Sequence, residues 1–277
     1  MVVNVITRHA PTNYGSLLQA IATQRVIMNL GHECRIINYI PKCETGVRMA
    51  ITQLEQKTKW KRNPIKKAIY LMVAEPETLL MDRKFLAMRK KYLLMGPCCA
   101  TTGELKKLYA EKKDEVFLTG SDQVWGPIST GHYDPTYFLD FVPKSSRKLA
   151  FAASFGKAIF DEQTLKEYGV LLKKYDSLAV RENVAVELLK KMDISAKQVL
   201  DPTLLMDADA WSEYVKPMKK PEKYVLVYQI HANSDLDHYA VKFAEKAELP
   251  LLRVSPLFQN VAESLCTALI SADFWIS

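Results

Sequence analysis

Repeatedly along this sequence an apolar run of strand length breaks off into small, hydrogen-bonding residues, and few folds accommodate that pattern. The sharpest case is Glu115-Val-Phe-Leu-Thr-Gly-Ser-Asp-Gln-Val-Trp125, where Val116-Phe117-Leu118 opens abruptly into Gly120-Ser121-Asp122-Gln123. A buried strand with a polar loop at its carboxyl end is how α/β sheets build ligand sites. The N-terminus repeats the pattern. Val2-Val3-Asn4-Val5-Ile6 leads through a loop, Thr7 to Thr12, into Asn13-Tyr14-Gly15-Ser16 and a helical repeat. Lys148-Leu-Ala-Phe-Ala-Ala153 ends in Ser154-Phe155-Gly156, and Ser177-Leu-Ala-Val180 ends in Arg181-Glu182.

Between these runs the spacing is helical. Leu17, Leu18, Ile21, Ala22, Val26 and Leu30 recur at helical intervals, with Gly31 just past the expected helix end. Arg35-Ile-Ile-Asn-Tyr-Ile40 reads as a strand closed by Pro41, which completes a βαβ unit and implies parallel pairing. Residues 46–95 read as a basic helical insertion, punctuated by Pro64 and Pro76 and followed by Pro97. Helices over Thr102 to Lys112, Thr164 to Lys174 and Asn183 to Met192 alternate with the strands and with Gln198-Val-Leu200, whose exit is Asp201-Pro202-Thr203. Tyr133-Asp-Pro-Thr-Tyr-Phe-Leu-Asp-Phe-Val142 reads as an aromatic, extended segment. Such alternation predicts an α/β fold with a doubly wound, Rossmann-like sheet.

At Lys216-Pro-Met-Lys-Lys-Pro-Glu-Lys223 the composition shifts to that of a linker. The expected division is an N-terminal Rossmann-like domain over 1–218, carrying the basic insertion, and a partial C-terminal one over 219–277. In the second, strands at Tyr224 to Tyr228, Leu251 to Val254 and Asp273 to Ile276 alternate with helices over Ser234 to Glu248 and Val261 to Ser271. That is about half of a Rossmann-like domain. A sheet left unfinished near Trp275 would expose an edge, so a homo-oligomer stays open.

The 277 residues carry 38 Lys and Arg against 31 Asp and Glu, a net charge of +7. That balance favours an anionic ligand or surface but is too mild to imply nucleic acid, which is not expected as a partner. Much of the excess lies in Lys57-Thr-Lys-Trp-Lys-Arg62, Lys66-Lys67 and Arg89-Lys90-Lys91. These read either as a solvated helical face or as a patch on anionic lipid headgroups anchored by Trp60, a peripheral membrane contact. The five cysteines, Cys34, Cys43, Cys98, Cys99 and Cys266, include no CxxC pair, and no metal-ligand spacing appears, so no metal site is expected. An unpaired cysteine count fits a reducing compartment. With no signal peptide and no apolar run near the ~20 residues that span a bilayer, the expectation is a cytoplasmic protein, with any membrane contact at the inner face.

The strand exits hold the candidate chemistry. There is no GxGxxG, so a dinucleotide has no support, and no GxxxxGK[ST], so a P-loop is excluded. The amides of Asn13 and Gln123, the carboxylate of Asp122 and the hydroxyl of Ser121 suit a sugar or another polyol. Tyr14 and Trp125 could stack on its apolar face. Arg181, with Glu182 beside it, suits a planar carboxylate or phosphate, which a guanidinium holds by two parallel bonds. Plainer readings stand beside these. Asn13 and Gly15 can be a helix-entry turn, Ser121 and Asp122 caps, and Arg181-Glu182 a surface ion pair. Convergence of all the exits at the carboxyl ends of neighbouring strands raises the reading of sugar plus anion.

Taken together, Asn13-Tyr-Gly-Ser-Leu-Leu-Gln-Ala20, Gly120-Ser-Asp-Gln-Val-Trp125, Phe138-Leu-Asp-Phe141, Ala153-Ser-Phe-Gly156, Val180-Arg-Glu182 and Leu200-Asp-Pro-Thr203 resemble the polysaccharide pyruvyl transferase family. The resemblance covers residues 2 to about 211. It implies a glycosyltransferase-B-like architecture, two Rossmann-like domains facing a cleft, with the second incomplete here. It also implies transfer of a pyruvyl group from phosphoenolpyruvate, the donor substrate, to two hydroxyls of a saccharide acceptor, free or lipid-linked, with no cofactor. Arg181 would grip the donor, and Asp122, with Ser121 and Gln123, would orient the acceptor and act as base. Asn13, Tyr14 and Gly15 would line the opposite wall, with Gly120, Trp125 and Ser154 also at the site. The family's general acid is the His of a Ser-Phe-His-Gly word just after a strand like Asp273-Phe-Trp-Ile-Ser277, where this sequence stops. His9, His32, His132, His231 and His238 stand in no equivalent context. The expectation is a truncated form of a longer enzyme; the alternatives are a short sugar- or anion-binding relative and a nucleotide-sugar glycosyltransferase.

Overall fold

A computed structural model describes residues 1–41, 44, 80, 82–128, 130–157, 159–215, 219–229 and 233–254. Most of the expected basic insertion, Trp60, Cys43, His231, Cys266 and the expected elements over 261–271 and 273–276 lie outside the described residues. The chain divides into two compact units, Met1–Met206 and Asp207–Ser277.

In the first unit β1 (Val2–Ile6), β2 (Glu33–Ile36), β3 (Val116–Thr119), β4 (Arg147–Ala153), β5 (Ser177–Val180) and β6 (Lys197–Gln198) form one sheet in the order β2-β1-β3-β4-β5-β6. Every neighbouring pair is parallel. All of β3 and most of β1 are buried, as a parallel sheet covered on both faces requires. Beyond β2, parallel bridges Ile36↔Met95 and Tyr39↔Cys99 lay the segment after helix α2 (residues 82–92) along the outer edge. That segment stands where a Rossmann sheet carries its further strand, and it covers what would be an open edge.

Helix α1 (Tyr14–Asn29) follows β1 because Asn13 holds an extended backbone, φ −143 and ψ 124, and turns its carboxamide back on the helix. Its Oδ1 accepts from the N–H groups of Gly15 at 2.8 Å and Ser16 at 3.4 Å, a cap that contributes about 1 kcal/mol. Leu17, Ala20 and Ile21 are buried, and so are Thr23 and Gln24. Gln24 fastens α1 to the end of α2, donating to Tyr92 O at 3.0 Å and accepting from Leu94 N–H at 2.7 Å.

The segment Tyr133 to Val142 is not extended. Asp134 Oδ1 takes the Thr136 N–H at 2.9 Å, Pro135 starts a 3-10 turn over Pro135–Phe138, and Leu139 reverses the chain at φ +58. Proline at the first turn position and a capping Asp override the strand tendency of the aromatics. Tyr137, Phe138 and Phe141 thereby enter one core with Phe117, Trp125, Phe155 and Tyr168. Helices α3 (Thr102–Leu108), α4 (Glu162–Leu172) and α5 (Asn183–Lys191) complete the alternation. The last strand is shorter than expected, since only Lys197–Gln198 pair with β5.

The second unit carries α6 (Ala208–Ser212), then β7 (Val225–Tyr228) and β8 (Leu251–Val254), a parallel pair joined by α7 (Ser234–Ala247). Asn233 caps α7 through Oδ1, and Glu248 ends it at φ +51. Among the described residues, no helix is long and apolar enough to cross a membrane.

His9 is buried in the loop after β1, with Nδ1 3.1 Å from Thr7 O and Nε2 3.3 Å from Asn38 Oδ1. Burial lowers its pKa from the ordinary 6.5, only partly opposed by the bond to Thr7. The fold thus holds the neutral imidazole, and below pH 6.5 the unfolded chain binds more protons than the folded one. Stability is therefore expected to fall as the pH drops from 6.5 towards the lower folded value, and His9→Gln should flatten that fall. Urea unfolding midpoints at about pH 7.5 and 5.5 check this, and an unchanged slope in the variant would place the acid loss elsewhere.

Candidate functional site

The strand order changes direction between β1 and β3, and there the two exits are drawn together. Gly120 permits it: a Cβ at this position would stand 3.1 Å from Val5 Cγ1 and 3.3 Å from Thr7 Cβ. Thr7 Oγ1 donates to Ser121 O at 2.6 Å across the gap, and Gln19 Nε2 donates to Thr7 Oγ1 at 2.9 Å. One residue on, Asp122 sits at φ +86, with Oδ2 accepting from Ser16 Oγ at 2.6 Å and Oδ1 accepting from Gln123 N–H at 2.7 Å. Its half-buried carboxylate therefore lies beside the first turn of α1. No cation pairs with it among the described residues.

The same loop is stitched to β4. Asp122 O accepts from Ser154 N–H, and Ser154 O from Trp125 N–H, both at 3.1 Å. The register of β4 shifts between Ala150 and Ala153 because Ala152 adopts φ +55, which re-aims the strand end. From Ala153 the ladder passes to Arg181, whose N–H donates to Ala153 O at 3.2 Å. Successive exits of β1, β3, β4 and β5 are thus held at hydrogen-bond distance.

Between the β4 and β5 exits opens a cleft of about 260 Å³, lined by Gln123, Ser154, Gly156, Lys157, Arg181 and Glu182, with Phe155, Val184 and Ala185 as its apolar part. Gly156, at φ +68, lies so close under Gln123 that a Cβ would stand 2.7 Å from the Gln123 carboxamide. Glu182 begins α5 without a side-chain cap, and the first turn of that helix borders the cleft through Val184 and Ala185. Arg181 Nε donates to Glu182 Oε1 at 2.8 Å and Nη1 to Asp201 Oδ2 at 3.0 Å. Partial burial opposes its charge, but these two carboxylates outweigh that and raise its pKa. Asp201 also accepts from Ser121 Oγ at 2.7 Å and from Thr203 N–H and Oγ1 at 3.0 and 2.7 Å. Burial pushes its pKa up, yet the bonds from Thr203, Ser121 and Arg181 prevail and hold it below the usual carboxylate range.

The expected residues separate by exposure. Asn13, Gly15 and Gln123 are exposed, and Asp122, Arg181 and Glu182 are partly so. Trp125 cannot stack on a sugar: it is 0% exposed, its ring 5.1 Å from that of Phe155 and 5.8 Å from that of Phe138. Tyr14 is likewise buried, its ring 4.9 Å from that of Phe85. Both carry enough apolar area that the core claims them. Gly120 and Ser121 are buried, and the Ser121 hydroxyl is spent on Asp201. Ser154 is buried at the cleft wall, its Oγ accepting from Gly156 N–H at 3.0 Å. Lys157 and Asp201 were not foreseen at the site. Lys157 is only the next residue after a Gly turn, whereas Asp201 stood in view at a strand exit.

A sequence model of the family described as polysaccharide pyruvyl transferase matches residues 13–266. That span takes in Asn13, the Gly120 to Gln123 loop, the Ser154 to Gly156 turn, Arg181 and Asp201. No curated protein matches the chain.

With Trp125 a core residue, Trp125→Ala is expected to cost about 3–5 kcal/mol in urea unfolding. A contact residue for a ligand would instead lower affinity while leaving the unfolding midpoint in place.

Proposed function

The chain belongs to the polysaccharide pyruvyl transferase family, and from that premise we propose that it transfers a pyruvyl group from phosphoenolpyruvate to two hydroxyls of a saccharide. The product is a cyclic ketal, and the setting is cell-surface polysaccharide synthesis on the cytoplasmic side of the membrane. The architecture that goes with this reading is glycosyltransferase-B-like, two Rossmann-like domains facing a cleft. The observation that carries the reading is the cleft at the β4 and β5 exits, where Lys157, Arg181 and the uncapped start of α5 meet. Cationic groups at a strand exit suit a small, doubly anionic donor.

In the step itself, a proton adds to the donor's methylene carbon, and the first sugar hydroxyl attacks the resulting centre, which is oxocarbenium-like through the phosphate ester oxygen. The carbon–oxygen bond to phosphate then breaks with help from the new ether oxygen, and the second hydroxyl attacks the oxocarbenium-like carbon so formed. Each loses a proton; one is retained as the new methyl hydrogen and the other leaves with phosphate. Arg181 and Lys157 would hold the donor's carboxylate and phosphate, so that negative charge leaving with phosphate meets fixed positive groups. Asp122 is the group suited to take the hydroxyl proton. It is ionisable, partly exposed and oriented by Ser16, and its neighbour Gln123 lines the cleft. The exposed carboxamides of Asn13 and Gln123 would orient the acceptor.

His9 is not the acid in this reading. Its buried ring is spent on Thr7 and Asn38.

The test is a thermal-shift series on the full chain. Phosphoenolpyruvate is expected to raise the melting temperature, reaching about 2.7 kcal/mol of stabilisation at a hundredfold excess over its Kd. Arg181→Ala should abolish the shift and Lys157→Gln should reduce it. Stabilisation by a sugar nucleotide, with none by phosphoenolpyruvate, would replace this reading with a nucleotide-sugar glycosyltransferase.

A further inference from the structure

Asp201 is not itself part of the cleft lining, yet the two sides of the site meet on it. One oxygen, Oδ2, accepts both from Ser121 Oγ at 2.7 Å and from Arg181 Nη1 at 3.0 Å. The other, Oδ1, is fixed by Thr203 through its N–H at 3.0 Å and its hydroxyl at 2.7 Å. Pro202 follows at the first position of a 3-10 turn over Pro202–Leu205, so the backbone that carries the carboxylate has little freedom of its own. Ser121 is the residue before Asp122, and Arg181 lines the cleft. We propose that Asp201 is the positioning residue of this site, fixing the direction of the Arg181 guanidinium and the seat of the Asp122 loop with a single oxygen.

The geometry says what that does. Arg181 Nε is turned to Glu182 and Nη1 to Asp201, so the guanidinium is pinned at two of its corners and Nη2 is the corner that neither carboxylate occupies. A planar fork held at two points presents the remaining edge in one orientation, whereas an unpinned arginine at a surface samples several rotamers. The Glu182 contact cannot supply this alone. It joins adjacent residues at the rim, with 41% of the Glu182 side chain exposed against 18% for Asp201. The more buried of the two carboxylates is the firmer anchor.

This inference rests on the donor reading for its consequence, though not for its geometry, and the test separates the two. Arg181 is modified with phenylglyoxal in the full chain and followed by mass spectrometry. In parallel, the Kd of phosphoenolpyruvate is measured by calorimetry for the wild type, Asp201→Asn and Asp201→Ala. Thr101→Ala, which removes the cap of α3, is the control for general loss of stability. The expected result is Arg181 modified about fivefold faster in Asp201→Ala and the donor bound about tenfold more weakly, with Asp201→Asn between. Thr101→Ala should change neither. Should Asp201→Ala fail to fold, Asp201→Asn, which keeps the shape and one acceptor, is expected to move in the same direction. An unchanged Arg181 rate in the variants overturns the proposal, as does an equal change in Thr101→Ala. If the wild type does not bind phosphoenolpyruvate while the Arg181 rates differ as expected, the donor reading fails and the positioning role stands.

Discussion

The close approach of the β1 and β3 ends is the constraint on which the rest of the site hangs. Where strand ends of a covered parallel sheet approach one another, their buried N–H and C=O groups need partners. Here the exits satisfy one another. Thr7 donates to Ser121 O, Ser154 N–H to Asp122 O and Arg181 N–H to Ala153 O. Gly120 makes the first approach sterically possible. A side chain there would press on Val5 and Thr7, which would have to give by a few tenths of an ångström. Strain collects at the same place: of the residues at positive φ, Asp122 forms the bridge to Ala153 and Ala152 directly precedes that partner. Backbone held in such sparsely populated regions persists only where its surroundings over-determine it, and that is a recurrent property of binding sites.

The electrostatics are more balanced than the count of arginines and lysines suggests. Arg181 lies between two carboxylates, Glu182 and Asp201, so its charge is largely answered before any ligand arrives. Among the described residues that line the cleft, Lys157 is the other cation, and its ammonium lies over the Phe160 ring at 4.7 Å. A ring face attracts a cation without neutralising it. For an anionic donor this divides the labour: Arg181 offers direction and Lys157 offers charge. Under the proposed reading, the family gives the reaction class and these two cations are the reason for assigning an anionic donor to the cleft.

The parts that were legible in the sequence are those that depend on local pattern. The apolar runs with their polar exits gave the strands, and the helical repeats between them gave α1, α4 and α5 within a few residues. Tyr133 to Val142 was misread locally, since its aromatics resemble a strand but the Asp134 cap and Pro135 within it start a buried 3-10 turn. The rest of what was not legible depends on tertiary neighbours. Trp125 and Tyr14 look like stacking platforms in a list of exit residues, because nothing local tells an indole that faces a cleft from one that faces a core. Ser121 and Asp201 are 80 positions apart, and their bond exists only once β3 and β6 lie in one sheet. Lys157 carried no signal beyond its place after a turn.

The burial of Trp125 also has an optical side. Its indole is packed between Phe155 and Phe138, and its carbonyl takes the Tyr168 hydroxyl at 2.5 Å. Phe155 and Gly156, directly above it, form part of the cleft wall. A tryptophan so enclosed emits at the blue end of its range, and its yield depends on the few rings that touch it. Any shift of the Phe155 turn on filling of the cleft would alter that enclosure, and Trp125, one of the chain's four tryptophans, is placed one layer beneath the site to register it.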